Sequence, residues 1–86
     1  MAEYIFSKHA IEMMEERKIE EDWVWEVLNK SKGAFTGEDS NLHFTKAIAE
    51  KQNRVLHVIV NPAVSPKKIV TVFFDRRLRS NHETKS

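Results

Sequence analysis

The chain contains no cysteine. Disulfides, thiolate nucleophiles and cysteine-based zinc or iron-sulfur sites are thereby excluded, and a reducing compartment fits. Glycine and proline are scarce too, with two of each in 86 residues. A phosphate-cradling glycine loop has no material, because Gly33 and Gly37 stand apart and neither precedes a Lys-Ser or Lys-Thr pair. No run approaches the ~20 apolar residues of a membrane-spanning helix. Residues 1–8 lack the basic start and apolar core of a secretory signal. The expected location is the cytoplasm, with no membrane partner. His9, His43, His57 and His82 show no close pairing of the kind that ligates a metal from one helical face. Neither a metal nor any other cofactor is expected.

What is present is charge, and it is unevenly spread. Residues 1–40 carry five basic side chains against ten acidic ones, a balance of −5, whereas residues 41–86 carry nine against three, a balance of +6. The first half repels phosphate and the second attracts it. A chain of this length has room for one core, burying roughly 60 to 65% of the surface its unfolded form exposes. A partner surface would add to its stability.

Local patterns order the chain as helices followed by strands. Tyr4-Ile5-Phe6 suits an edge strand or a lead-in beneath a helix. Ser7 can cap a helix in which Ile11, Met14 and the stem of Lys18 recur at helical spacing, with Ala10 and Met13 alongside. A second helix starts after Ile19, its first turn made acidic by Glu20, Glu21 and Asp22, and buries Val24, Val27 and Leu28. Trp23 and Trp25 lie two apart and so point to different sides, one toward the core and the other partly exposed. Gly33 and Gly37 bracket Ala34-Phe35-Thr36, a loop or a brief strand. Leu42, Phe44 and Ile48, then Arg54 to Val60, then Lys68 to Phe74, read as three antiparallel strands. Glu50 to Asn53 reads as the hairpin turn, and Pro62 and Pro66 keep residues 61–66 out of a sheet centre. The expected fold is α+β, an N-terminal α-hairpin packed on a three- or four-stranded antiparallel β-sheet. Residues 1–78 form the domain and residues 79–86 a mobile tail. Both faces of the last two strands are largely apolar, yet two helices cover only one of them. An exposed apolar face suited to a partner should remain.

Ser7-Lys8-His9-Ala10 with Met14, Arg17 and Ile19, then Glu20-Glu21-Asp22 and Val27-Leu28, resembles the opening signature of the domain-of-unknown-function family 4258. Residues 54–60 and 68–74 resemble its two closing strands, so the likeness runs from about Tyr4 to Phe74. That family is similar in fold to the RelE/ParE-like toxins of bacterial toxin-antitoxin systems. The resemblance implies an RNA-acting toxin, an endoribonuclease or a block to translation, neutralised by a cognate antitoxin. The chain departs from the family pattern at Met13, where an arginine is frequent, and at Lys18, where a turn glycine is frequent.

RNA cleavage without a metal needs a base for the 2′-hydroxyl proton, cations for the phosphate and an acid for the leaving oxygen. His9 is the leading base, placed where helix N–H groups can receive a phosphate, or else it braces the helices against the sheet. Arg76 and His57 complete the catalytic set, although His57, mid-strand between Leu56 and Val58, equally suits a structural hydrogen bond. His43 meets His57 across the hairpin only if the register puts them on one face. Lys8, Arg54, Arg77 and Arg79 are the expected RNA contacts, and residues 75–79 form the strongest basic run. The partners on this reading are RNA or the ribosome and an antitoxin. The alternative is a non-catalytic interaction module, either a homodimer or an inactive toxin relative that still binds an antitoxin.

Overall fold

A computed structural model describes residues 4–31 and 34–76. Among the described residues the order is β1 (Tyr4–Phe6), α1 (Lys8–Arg17), α2 (Glu21–Lys30), β2 (Ala34–Thr36), β3 (Leu42–Ile48), a 3-10 turn (Ala49–Lys51), β4 (Arg54–Asn61) and β5 (Lys67–Phe74). The fold is α+β, as the alternation of periods implies, with two corrections. The sheet has five strands in the order β1-β5-β4-β3-β2 rather than three or four, and it is mixed because β1 runs parallel to β5. The two helices are not shown to pair with each other as an α-hairpin. Instead α1 lies over β5 and β1 while α2 lies over β4 and β3, so each covers its own part of the sheet.

Ser7 fixes where α1 begins. Its hydroxyl accepts from the Ala10 N–H at 3.0 Å and donates to the Val70 carbonyl at 2.8 Å, while its own N–H donates to the Ile69 carbonyl at 3.0 Å. One residue thus caps the helix and ties it to β5, where a bulge at Val70 leaves that residue without a cross-strand partner. Lys18 ends α1 in the left-handed conformation, φ 55° and ψ 46°, with its N–H on the Met14 carbonyl. A lysine does the work that glycine usually does at this position. Ile19 then restarts the apolar pattern as a core residue.

Paired strand residues share a face. Leu56, Val58 and Val60 of β4 lie with Ile69, Val72 and Ile48 on the helical side, where Ala10, Ile19, Val24 and Val27 close one core. Tyr4 and Phe6 pack beside Trp25, and Trp23 packs beside Phe74. Both tryptophans are therefore half-buried, neither of them a fully buried core residue.

The opposite face carries Phe35, His43, Thr45, Val55, His57, Ile59, Thr71 and Phe73. It is less open than its apolar composition implies. Val55 and His57 are buried and the other members of β3, β4 and β5 half-buried, leaving Phe35 and, on the β1 edge, Ile5 as large apolar side chains exposed there. The β3–β4 turn is one residue longer than Glu50 to Asn53. It spans residues 49–53, with Gln52 and Asn53 both at positive φ, and pairs Ile48 with Arg54. That register sets His43 on the same face as His57.

Candidate active site and anion cleft

The register pairs Thr45 with His57 and His43 with Ile59, so the two histidines are diagonal neighbours on one face. Their rings meet directly, His43 Nδ1 lying 2.8 Å from His57 Nε2. His57 Nδ1 lies 3.0 Å from Asp75 Oδ2, and His43 Nε2 lies 3.2 Å from Asp39 Oδ1. The four side chains form one line, Asp75, His57, His43 and Asp39, running from the sheet interior outward. His57 and Asp75 are each 5% exposed, whereas the Asp39 side chain is 48% exposed. Aromatic rings fix the imidazole planes. His57 stacks on Phe73 at 4.9 Å between centroids, and His43 stacks on Phe35 at 5.0 Å with the planes 16° apart.

The turn between β2 and β3 is built around this line. Asp39 receives the Asn41 N–H at 3.0 Å. That bond first, and the His43 side chain second, lower the Asp39 carboxyl from its ordinary value of 3.8. Gly37 is required by space: a Cβ there would stand 2.5 Å from His43 Nε2 and 2.9 Å from Asp39 Oδ1. At the inner end, the Asp75 N–H donates to the Val55 carbonyl at 2.8 Å, anchoring the carboxylate just past β5.

Proton counting defines what this line can do. Each carboxylate takes an N–H, and the contact between the rings needs another, making three. Two neutral imidazoles supply two. With three protons every contact is filled. With two, the His57 Nδ1–H donates to Asp75, the His43 Nδ1–H donates to His57, and His43 Nε2 presents a lone pair. The three-proton state fits this arrangement as it stands, whereas the two-proton state sets the His43 Nε2 lone pair against the Asp39 carboxylate and needs that exposed side chain to turn away. Among the described residues no group of three or more His, Cys, Asp or Glu side chains is disposed to hold a metal ion.

A second feature lies at the end of β5, on the helical side. Arg17, Lys51, Arg54 and Arg76 surround Phe74 in a cleft of about 230 Å³ with no carboxylate among its described lining residues. The Arg54 guanidinium lies 5.3 Å over the Phe74 ring, and the Lys51 ammonium lies 5.9 Å from the Trp23 ring. Gathering four cations without a counter-carboxylate favours an anion. Arg17 is in the last turn of α1, where the helix dipole favours a cation.

Arg54 and Arg76, both expected from the sequence, are brought together in this cleft. His57 lies three residues along β4 from Arg54, about 10 Å by strand rise, on the other face. Lys8 and His9 are exposed at the N-terminus of α1, about 13 Å along the helix axis from Arg17, and are not part of either grouping. Arg77 and Arg79 lie outside the described residues, as does the expected tail. Sequence reasoning did not select Asp39, Asp75, Arg17, Lys51 or Phe35, and it left His43 to the register. The signal available for Asp75 was its place immediately after a strand that pairs with the strand of His57.

A family model described as Domain of unknown function (DUF4258) matches residues 6–74. The chain belongs to the DUF4258 family. No curated protein matches it, and no solved structure does. The DUF4258 match spans both Ser7 and the His57 strand and ends at Phe74, next to the Asp75 carboxylate. No helix among the described residues is long and apolar enough to cross a membrane.

Proposed function

We propose that this DUF4258 chain is a toxin-like, RNA-acting protein of a bacterial toxin-antitoxin system, similar to the RelE/ParE-like toxins and working as an endoribonuclease. The observation that supports the reading best is the cleft of Arg17, Lys51, Arg54 and Arg76 around Phe74, four cations with no carboxylate among the described lining residues. Guanidinium groups recognise phosphate with paired donors. Arg54 and Arg76 are both exposed and can contact successive phosphates of a single strand.

The test is RNA affinity as a function of salt, read by fluorescence anisotropy on a mixed-sequence single strand. Each lost phosphate contact lowers the logarithmic salt slope by about 0.7. Arg54→Gln with Arg76→Gln should lower it by about 1.4, and a slope equal to that of the wild type would remove the cleft from RNA binding. An added loss of about 0.7 in Lys8→Ala would extend the RNA path along α1.

A second reading, a non-catalytic interaction module that binds an antitoxin or a second copy, draws on a different surface. Ile5 and Ile11 are exposed, and Ile11 lines a groove of about 440 Å³ with Phe6, Met14 and Ile19. Sedimentation across a range of concentrations tests self-association, and a monomer throughout would exclude the homodimer.

A further inference from the structure

We propose that His43 is the catalytic acid–base of this protein and that Phe35 is the platform on which the substrate's base stacks, with His57 and Asp75 positioning His43 from behind. The inference rests on the RNA reading above and adds a site on the opposite face of the sheet from the cationic cleft.

The argument starts from burial. His57 is 5% exposed and both of its ring nitrogens are occupied, Nδ1 by Asp75 and Nε2 by His43. It has no nitrogen left for a substrate, so whatever proton chemistry it supports is delivered through its neighbour. The His43 side chain is 14% exposed, and its Nε2 is held only by Asp39, a surface carboxylate able to turn aside. The outer end of the line is therefore its working end. Asp75 keeps the His57 Nδ1–H directed inward, which leaves His57 Nε2 to accept from His43 Nδ1 and His43 Nε2 as the free base. When Nε2 takes a proton, the extra charge is shared across the 2.8 Å contact between the rings and is faced by the carboxylates of Asp39 and Asp75. Among the described residues, those two carboxylates and the two imidazoles are the titratable groups facing His43 from the β2–β3 turn, β4 and the end of β5.

Phe35 supplies the substrate preference. It is 54% exposed and its ring stacks in parallel on His43, 5.0 Å between centroids, so one face is held by the imidazole and the outer face is open to a base. Stacking of this kind accepts any nucleobase. The buried inner end of the line, Asp75, is followed directly by Arg76 of the cationic cleft, while its working end, His43 beside Phe35, is level with Ile59, five residues and about 16 Å along β4 from Arg54. A single strand that uses both sites passes around the strand ends from Arg54 and Arg76 on the helical face to Phe35 on the β2 edge of the opposite face.

In the reaction, the 2′-hydroxyl oxygen bonds to phosphorus as its proton passes to His43 Nε2. The bond from phosphorus to the 5′-oxygen breaks, and that oxygen takes a proton from water. His43 then returns its proton to the hydroxide so formed, and the products are a 2′,3′-cyclic phosphate and a 5′-hydroxyl.

The experiment measures binding and cleavage separately, on the same single-stranded RNA, with and without ribosomes. His43→Gln should lower kcat by about 10²- to 10⁴-fold with affinity within twofold of the wild type. Phe35→Leu should raise KM with kcat retained. Asp75→Asn should change the pH profile of kcat, which a merely structural carboxylate would not do. Asp39→Asn, at an exposed turn where folding is not at risk, should move the same profile. Wild-type cleavage that persists in folded His43→Gln overturns the assignment. Binding without cleavage by the wild type overturns it while leaving the RNA reading in place, and failure to bind RNA at all removes both.

Discussion

Replacing Asp75 by alanine tests the buried half of the imidazole line on its own. Asp75 and His57 are each 5% exposed, and their side chains meet at 3.0 Å. The Asp75 N–H bond to the Val55 carbonyl survives the change, so the end of the β4–β5 pair keeps its backbone contact. What is lost includes the carboxylate acceptor of a buried imidazole N–H. A hydrogen bond to a charged group contributes about 1.5–3 kcal/mol, and breaking a buried ion pair costs about 3–5 kcal/mol. Asp75→Ala should therefore cost about 3 kcal/mol. Against a total of roughly 4–13 kcal/mol for a domain of this size, that is a large fraction. Asp75→Asn keeps an oxygen acceptor and should cost about 1 kcal/mol. Urea denaturation followed by tryptophan fluorescence gives both values, and thermal melting of the alanine variant should fall by roughly 10–20 °C. A double-mutant cycle with His57→Phe, which keeps a ring against Phe73, should return a coupling energy of at least about 1.5 kcal/mol. A loss below about 0.5 kcal/mol in Asp75→Ala, or no coupling, would refute the claim that this pair is a buried, satisfied interaction.

Ser7→Ala removes both the cap on the Ala10 N–H and the donor to the Val70 carbonyl, and should cost about 1–2 kcal/mol in the same denaturation assay. Gly37→Ala places a methyl group 2.5 Å from His43 Nε2. It should cost about 1–3 kcal/mol and abolish the contact between His43 and Asp39, seen as changed imidazole resonances in NMR. The Asp39 carboxyl is lowered by the Asn41 N–H and then by His43, so the folded state holds its proton less readily than the unfolded chain does. That contribution to stability is full above the ordinary carboxylate value of 3.8 and is lost as pH falls through the lower folded value. Asp39→Asn should accordingly flatten the acid limb of the stability profile, and an unchanged acid limb would contradict the shift.

Much of the fold is legible in the residues. Ser7 as a cap, the stop near Lys18, the acidic start of α2 and the exclusion of the two prolines from strands all follow from local chemistry. The errors are global. Tyr4-Ile5-Phe6 pairs in parallel with β5, a contact across more than sixty residues that no local pattern contains. The relation between the helices depends on the width of the sheet they share, which five strands provide and three would not. The candidate site turned on one residue. A turn of Glu50 to Asn53 pairs Ala49 with Arg54 and sends His43 to the helical face, away from His57. The longer turn, made possible by left-handed Gln52 and Asn53, pairs Ile48 with Arg54 and brings the rings together. Asparagine visits that conformation readily but glutamine does so uncommonly, which is why the longer turn is hard to read. Arg17 escaped notice because its proximity to Arg54 exists only after α1 is laid on β5, whereas Lys51 is a neighbour of Arg54 through the β3–β4 turn.

The presence of the imidazole line in so small a domain bears on function. A buried network of two carboxylates and two imidazoles is an inefficient source of stability, since well-packed apolar side chains of similar volume often do as well or better. The surrounding positions show that such packing was available: Phe73, Val55 and Ile59 are neighbours of His57 on the same face. The network is also complete from end to end, with no buried side-chain nitrogen or oxygen lacking a partner among the described residues. A partly satisfied network would be a liability, whereas a complete one fixes ring orientation and proton placement. Gly37 adds to this, because the space it leaves serves the position of His43 rather than the packing of the turn. A line that fixes two tautomers, excludes water from its inner half and ends at a half-exposed nitrogen beside an exposed aromatic ring has the organisation of a proton-handling site. Its buried end at Asp75 is one residue from Arg76 of the cationic cleft, and its half-buried end at His43 opens on the opposite face of the sheet, so the two features offer separate surfaces to a substrate.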